Sequence, residues 1–329
     1  MMRMAKTNSR RRGWKLFLPP MLAAMFLISC GKPVDPAPMP KVPAPFEFLG
    51  AWGEKGDGPA KFDRPTAFAT DALGRVFFVD PGARSIDKFE SMGTPLLSFE
   101  DARLRHASGI AVDSGGAIYV ADAESGRILI FYPNGIFLRS LRSPRQPDFS
   151  GPLEINVDDQ GSLYVPNPAA SRVLKLNNHG RLLKSWVAPR DAAADGEKPT
   201  GIATARDGSV FVSYSKTGRI EKYSSDGAWI TSWIAGKDAA GQSHPITGLA
   251  VGDQFVFTMA ANSPHIRVWT LDGQSKLDVD LGEHFGTDPI AEPQIAVTPH
   301  SELLVFDPSV SRIYWFRMHL ETLETKEQK

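Results

Sequence analysis

Apolar and polar positions alternate in short bursts along this chain, and the bursts recur. Six copies open on an aliphatic residue, at Ile86, Ile128, Val173, Ile220, Ile266 and Ile313. Each closes three residues later on an aromatic residue or Leu, at Phe89, Phe131, Leu176, Tyr223, Trp269 and Phe316. The opening residues stand 42, 45, 47, 46 and 47 apart. Between them lie runs such as Arg75-Val-Phe-Phe-Val79, Ala117-Ile-Tyr-Val120 and Ser209-Val-Phe-Val212, which are β-branched, aromatic and too short for helices. A period in the forties built on strands predicts a radial array of small sheets.

Turn chemistry keeps the same beat. One turn per unit precedes the second strand, as in Asp71-Ala-Leu-Gly74, Asp113-Ser-Gly-Gly116 and Asp158-Asp-Gln-Gly161. Another follows the third strand, as in Ser91-Met-Gly93, Pro133-Asn-Gly135 and Asn178-His-Gly180. Gly, Asn and Asp supply the positive φ of tight hairpins. Each unit therefore reads as four antiparallel strands, a to d, around a central axis. Such a unit cannot bury its faces alone, so neighbours must stack and the ring must close. After Phe316 too little chain remains for a sixth strand d, whereas Phe46-Glu-Phe-Leu-Gly-Ala-Trp52 precedes the first unit as an orphan one. The expected fold is all-β: a six-bladed β-propeller of four-stranded blades, closed by its N-terminal strand.

The ends of the chain modify this picture. Arg3, Lys6, Arg10, Arg11, Arg12 and Lys15 precede an apolar stretch from Met21 to Ile28, the order of charge and hydropathy of a secretory leader. The run is too short to span a bilayer as a helix. Leu27-Ile28-Ser29-Cys30 resembles the bacterial lipobox, which implies that Cys30 is lipidated and becomes the first residue of the mature chain. Cys30 is the one cysteine in the sequence, so no internal disulfide can form. Gly31 after the lipidated Cys implies the outer rather than the inner membrane. Residues 31–45 carry prolines at 33, 36, 38, 40, 43 and 45, which predicts a polyproline-II tether. The domains expected are 1–29 signal peptide, 30–45 lipidated Cys and tether, 46–317 propeller and 318–329 flexible tail. Six of the 37 basic residues leave with the leader, so 31 face 37 acids, a net of −6. An acidic body argues against nucleic acid as a partner.

Phe62-Asp-Arg-Pro65, Gly109-Ile-Ala-Val-Asp113, Tyr119-Val-Ala-Asp122 and Gly126-Arg127-Ile128 resemble the NHL repeat. The resemblance covers positions 46–316 and is strongest in the first four units. It implies an acid at the end of strand b, matched by Asp80, Asp122 and Asp307 with Asn167 in unit three, while Tyr214 and Ala260 depart from it. An Arg opens strand c at Arg127, Arg172, Arg219 and Arg312, with Ser85 and His265 as exceptions. Acid and guanidinium flanking one loop suit a charge-assisted clamp that also caps free N–H groups.

Function is sought where the repeat departs from itself. NHL-type units carry a small residue near the start of strand a, matched by Ala67, Gly109, Gly201 and Gly248; unit three has Glu154 there and unit six Gln294. Arg64, His106, Lys198 and His244 stand near the same level, so convergent polar groups line a channel mouth. The alternative for Glu154 is an ion pair with a neighbouring Arg or Lys that plugs the channel. Some six-bladed relatives, the peptidylglycine amidating lyases, hold zinc on channel histidines; His106 and His244 fit two such places, but catalytic zinc needs three protein ligands. A lactonase-like set would need more than Glu154 and Asn156. The long d-to-a loops (100–105, 142–150, 187–197, 235–243 and 282–291) gather on the face opposite the tether and are natural recognition surfaces. The leading expectation is an envelope lipoprotein binding a protein, peptide or glycan through that loop face. The rival is a metal-dependent lyase or hydrolase, with a divalent metal in the channel.

Overall fold

The structure is a computed structural model, and it describes residues 44–56, 58, 60–142, 154–188, 196–286 and 290–320. The leader, Cys30 and the Pro-rich segment as far as residue 43 lie outside these residues.

Six four-stranded antiparallel sheets surround one axis. Blade one runs Ala67–Thr70, Val76–Asp80, Ser85–Phe89 and Pro95–Glu100, and blade two Ala107–Val112, Ile118–Asp122, Arg127–Phe131 and Phe137–Arg142. Blade three is Asn156–Val157, Leu163–Asn167, Arg172–Leu176 and Leu182–Val187; blade four is Pro199–Thr204, Val210–Tyr214, Arg219–Tyr223 and Trp229–Ile234. Blade five is Ile246–Val251, Phe255–Ala260, His265–Thr270 and Ser275–Asp280. Blade six takes Gln294–Val297, Glu302–Asp307 and Arg312–Met318 from the C-terminal end and Phe46–Trp52 from the N-terminal end. The closing strand pairs Phe46 with Met318 and Trp52 with Ile313, with one irregularity between Phe48 and Gly50. Ring closure by an orphan strand d is therefore what the molecule does.

Strands b and c are sandwiched between neighbouring blades, so both of their faces are buried. Val76–Asp80 and Val210–Tyr214 are buried at every position. The apolar clusters accordingly lie between blades: Phe77, Val79 and Ile86 of blade one pack with Ile110, Val120 and Phe131 of blade two. Each large side chain removed from water in this way contributes about 1.5–3 kcal/mol.

A repeated joint fixes the spacing between blades. The glycine of each c-to-d turn has positive φ, for example +88° at Gly93 and +83° at Gly273. Each such glycine faces the side chain next to the end of strand d in the preceding blade. An added Cβ would come within 2.6 Å of Trp52 at Gly93, 2.6 Å of Phe99 at Gly135, 3.1 Å of Leu141 at Gly180, 2.5 Å of Trp186 at Gly227 and 2.4 Å of Trp233 at Gly273. Glycine is needed there twice over, for the turn and for the contact.

The a-to-b turns are closed by their own acids. Asp71, Asp113 and Asp158 each accept two backbone N–H groups of the turn. Strand c of blade six continues to Met318, one residue beyond the expected edge of the propeller, and Met318 is buried. The His319 N–H donates to Pro45 O at 2.9 Å and Leu320 packs on the core, because together they seal the seam beside the incoming chain.

Candidate ligand site at the channel mouth

The inner strands leave one edge open toward the axis, enclosing a channel of about 230 Å³ lined by strand-a residues of all six blades. Its polar lining includes Ser108, Glu154, Asn156, Thr204 and Gln294. Glu154 and Gln294 occupy the place that their siblings give to Ala67, Gly109, Gly201 and Gly248. Gln294, for instance, lies opposite Phe306, just before Asp307, as Ala67 lies opposite Val79, just before Asp80.

Glu154 reaches sideways onto the neighbouring blade four, where its Oε2 accepts the N–H of Ile202 at 2.9 Å. The approach depends on Gly201, because a Cβ there would stand 3.0 Å from that oxygen and 2.4 Å from Ser213 Oγ. Water reaches the side chain along the channel, yet protein encloses the carboxyl on all sides, and the enclosure governs its titration. Burial pushes Glu154 up to about 7, and the Ile202 amide offsets this only in part. Among the described residues, no Arg or Lys pairs with it, so the plugged-channel alternative finds no partner.

The other lining groups tie blades together. Gln294 Nε2 donates to Thr66 O at 2.7 Å, bridging blade six to blade one. Thr66 Oγ1 donates to Ala107 O at 3.1 Å, and Thr204 Oγ1 to Asn156 Oδ1 at 2.7 Å. Gln294 and Asn156 thus have structural work as well as channel exposure.

Four of the expected mouth residues lie outside the channel lining, on the segments that lead into strand a; Arg64, His106 and Lys198 are exposed and His244 is half-buried. The Arg64 N–H donates to Asp80 Oδ1 at 2.9 Å, and Lys198 exchanges hydrogen bonds with Ser215 through both its N–H and its carbonyl. His106 ends a short 3₁₀ turn, Ala102–His106, started by the Asp101 cap and held by the buried Leu104; its Nε2 meets Glu124 Oε2 at 2.6 Å. His244 lies where three backbone segments cross. Added Cβ atoms on Gly218 and Gly236 would come 2.2 and 2.0 Å from the His244 carbonyl oxygen, so only glycines permit the crossing. Its Nε2 meets Asp238 Oδ2 at 3.0 Å, and that hydrogen bond holds the Asp238 carboxyl below its ordinary range. Each of these two histidines therefore has its own acid. Among the described residues, no group of three or more His, Cys, Asp or Glu side chains is placed to hold a metal ion. Arg145, Arg190, Asp191 and Asp195 of the loop face lie outside the described residues. A wider bowl of about 540 Å³ opens at the opposite end, where Arg206 pairs with Asp253 and Asp71 with Arg75.

Residues 104–131 match the NHL repeat family. The chain is a six-bladed β-propeller that carries an NHL repeat at residues 104–131. No curated protein matches the sequence. Among solved structures, the ring resembles a streptogramin B lyase at 17% identity, covering 78% of this chain and 79% of the other, with a TM-score of 0.56. It also resembles the virginiamycin B lyase of Staphylococcus aureus at 14% identity, covering 83% and 89%, TM-score 0.56. The WD40 domain of Neurospora crassa Pan2 is similar at 12% identity, covering 78% and 89%, TM-score 0.53. At these identities the likeness is one of fold.

The NHL-type acid at the end of strand b caps its loop as expected. Asp80 accepts the N–H groups of Asp63, Arg64, Gly82 and Ala83, Asp122 those of Glu124 and Ser125, and Asp307 that of Ser309. The guanidinium half of the expected clamp is different. Arg172 turns outward to Ser185 on strand d, with Nε to Oγ at 2.7 Å, and Arg219 turns to Glu221. Both stand in blades whose strand b ends in Asn167 or Tyr214, so neither has the acid of the clamp to meet.

Blade four, which lacks the acid, borrows one. The buried carboxylate of Glu197 reaches in from the preceding loop and accepts the N–H groups of Lys216 and Thr217. Tyr214, in the vacated place, joins a buried network instead: its hydroxyl and that of Tyr223 both donate to Glu221 Oε2. Burial holds both phenols above their ordinary range. Glu197 ends the 187–197 loop, which the sequence marks as a recognition surface, yet it serves the scaffold; the absent acid at position 214 is the signal that a nearby loop must supply one. His265, where siblings carry Arg, pairs its Nδ1 with Asp278 Oδ1 at 2.7 Å on the outer rim, away from the channel lining.

Proposed function

We propose that this propeller is a lipid-anchored envelope protein that binds a protein, peptide or glycan through its loop face, centred on the channel mouth. The observation that carries this reading is the arrangement of Arg64, Lys198, His106 and His244. Each stands on the segment leading into strand a of its blade: Arg64 and Lys198 have backbones fixed to the scaffold and exposed side chains, and His106 and His244 each meet an acid, outside the residues that line the channel holding Glu154. Preorganised polar groups on a rigid ring lose little freedom on binding, which favours recognition. Arg64 and Lys198 come from blades one and four, on opposite sides of the ring, so acidic or hydroxylated groups of a partner can meet them from either side. The leader and the lipobox-like sequence ending at Cys30 support the envelope location. Capture from intact envelopes with native chain and with Arg64→Ala/Lys198→Ala tests the reading. Native chain should retain a discrete partner that the double variant loses; equal retention by both would overturn it.

One observation favours a second reading. A carboxyl held near 7 in a water-accessible channel is suited to proton transfer, and two relatives in fold are lyases. On this reading Glu154 is the acid–base group and His106 and His244 contribute to a divalent-metal site. Stoichiometric metal in purified protein, lost in His106→Ala and His244→Ala, would establish it in place of the first.

A further inference from the structure

We propose that the rim formed by the starts of strand d in blades two to four is a membrane-contacting surface that lies on the lipid leaflet holding the anchor. Fourteen large apolar side chains stand exposed among the described residues, and ten of them lie at the turn end of blades one to four, in the hairpin turns or the first two residues of strand d. Six of them follow one another around the rim of blades two to four: Ile136 (61% exposed) and Leu138, Leu182 and Leu183 (43%), then Trp229 (40%) and Ile230. The blades make this a continuous strip. Arg139 beside Leu138 donates to Asn178 O at 2.8 Å, in the turn that leads to Leu182. Lys175 donates to Ser225 O at 3.2 Å, in the turn that leads to Trp229.

The chemistry of the strip fits a lipid surface. Trp, Leu and Ile interleaved with Arg139, Arg181 and Lys184 match the pattern by which proteins settle into the headgroup boundary, apolar groups inserted and cations at phosphate level. Asp226, in the turn that leads to Trp229, and Asp272, in the next turn around the ring, are acids at its edge. Equivalence within the ring selects the occupant. In blade six, the start of strand d is Phe46, the point at which the segment from Cys30 joins the propeller, fifteen residues from Cys30 to Pro45. An anchored chain thus leaves the ring from the same end that carries the strip, and the long loops face away. This inference rests on the anchoring reading above.

The full native chain, incorporated in vesicles of phosphatidylethanolamine and phosphatidylglycerol with brominated acyl chains, tests it. Trp229 is the exposed tryptophan among the described residues, and so reports the strip directly. Native protein should float with the vesicles and lose part of its tryptophan emission to bromine. Trp229→Phe should abolish that quenched component, and Leu183→Asp should cut it roughly twofold or more with flotation unchanged. Flotation with no quenching, or quenching unchanged in Trp229→Phe, overturns the rim proposal and leaves the anchor standing. Failure to float overturns the anchor and the rim together.

Discussion

The carboxylate of Glu154, on blade three, rests over Gly201 of blade four and accepts the Ile202 amide at 2.9 Å. A repeat that uses Gly or Ala at this point has been altered once to carry an acid, and its neighbour stays small enough to receive it. In water Glu154 titrates near 4.5, and in the fold it is pushed up to about 7 by burial. Between those values the native state holds more protons than the unfolded chain, so stability falls as pH rises through the window and levels above it. The loss should be on the order of 3 kcal/mol. Urea denaturation from pH 4 to 8 checks this: Glu154→Gln should flatten the curve and be the more stable protein at pH 8. Parallel curves for the two proteins would refute the assignment.

Ring closure depends on Trp52. Its ring packs on Phe78 and Phe89 and against Gly93, and its Nε1 donates to Ser91 O at 3.0 Å. Trp52→Ala should cost about 3–5 kcal/mol. Gly93→Ala alone should cost about 1–3 kcal/mol, from the positive φ and the overpacked ring. Combined, the second change should cost less in the Trp52→Ala background than in the native one, because the clash has gone. Denaturant midpoints of the four proteins give the coupling; strict additivity would show that the joint does not act as described.

Glu197 separates a structural acid from a recognition acid. Glu197→Ala should destabilise the protein by about 1–3 kcal/mol, since two loop amides lose their acceptor. Hydrogen exchange at Lys216 and Thr217 should quicken while distant blades are unaffected. Unchanged exchange at those amides would return Glu197 to the recognition surface.

The Asp238–His244 pair should matter locally. His244→Ala removes the imidazole that Asp238 meets at 3.0 Å and that holds its carboxyl low, so the Asp238 titration followed by NMR should move to higher pH. No movement would mean that the pair does not persist in solution.

The fold was legible because its determinants are local. Hairpin glycines at 74, 93, 116 and 135, the alternation through Ile86–Phe89 and its five copies, and the spare strand at Phe46–Trp52 each act within a few residues. What escaped depends on contacts between blades. Alternation in Ile220-Glu-Lys-Tyr223 reads as one buried and one solvent face, yet Glu221 and Lys222 are both buried, because blades cover both sides of strand c. They persist there through partners that spacing cannot reveal, the two tyrosine hydroxyls for Glu221 and Asp272 of blade five for Lys222. Likewise Glu154 stood out as a departure, but its acceptor role toward Ile202, 48 residues on, needed the ring. Arg172 and Arg219 meet no clamp acid, because Asn167 and Tyr214 stand at the end of strand b in their blades.

On the proposed reading, partners meet the loop face of an anchored ring. A photocrosslinking amino acid placed at Lys198, and separately at Ile136, in cells making the full chain measures this most directly. A discrete protein or peptide adduct is expected from position 198 and none from position 136, which should rest on lipid. Adducts from position 136 with none from position 198 would contradict it.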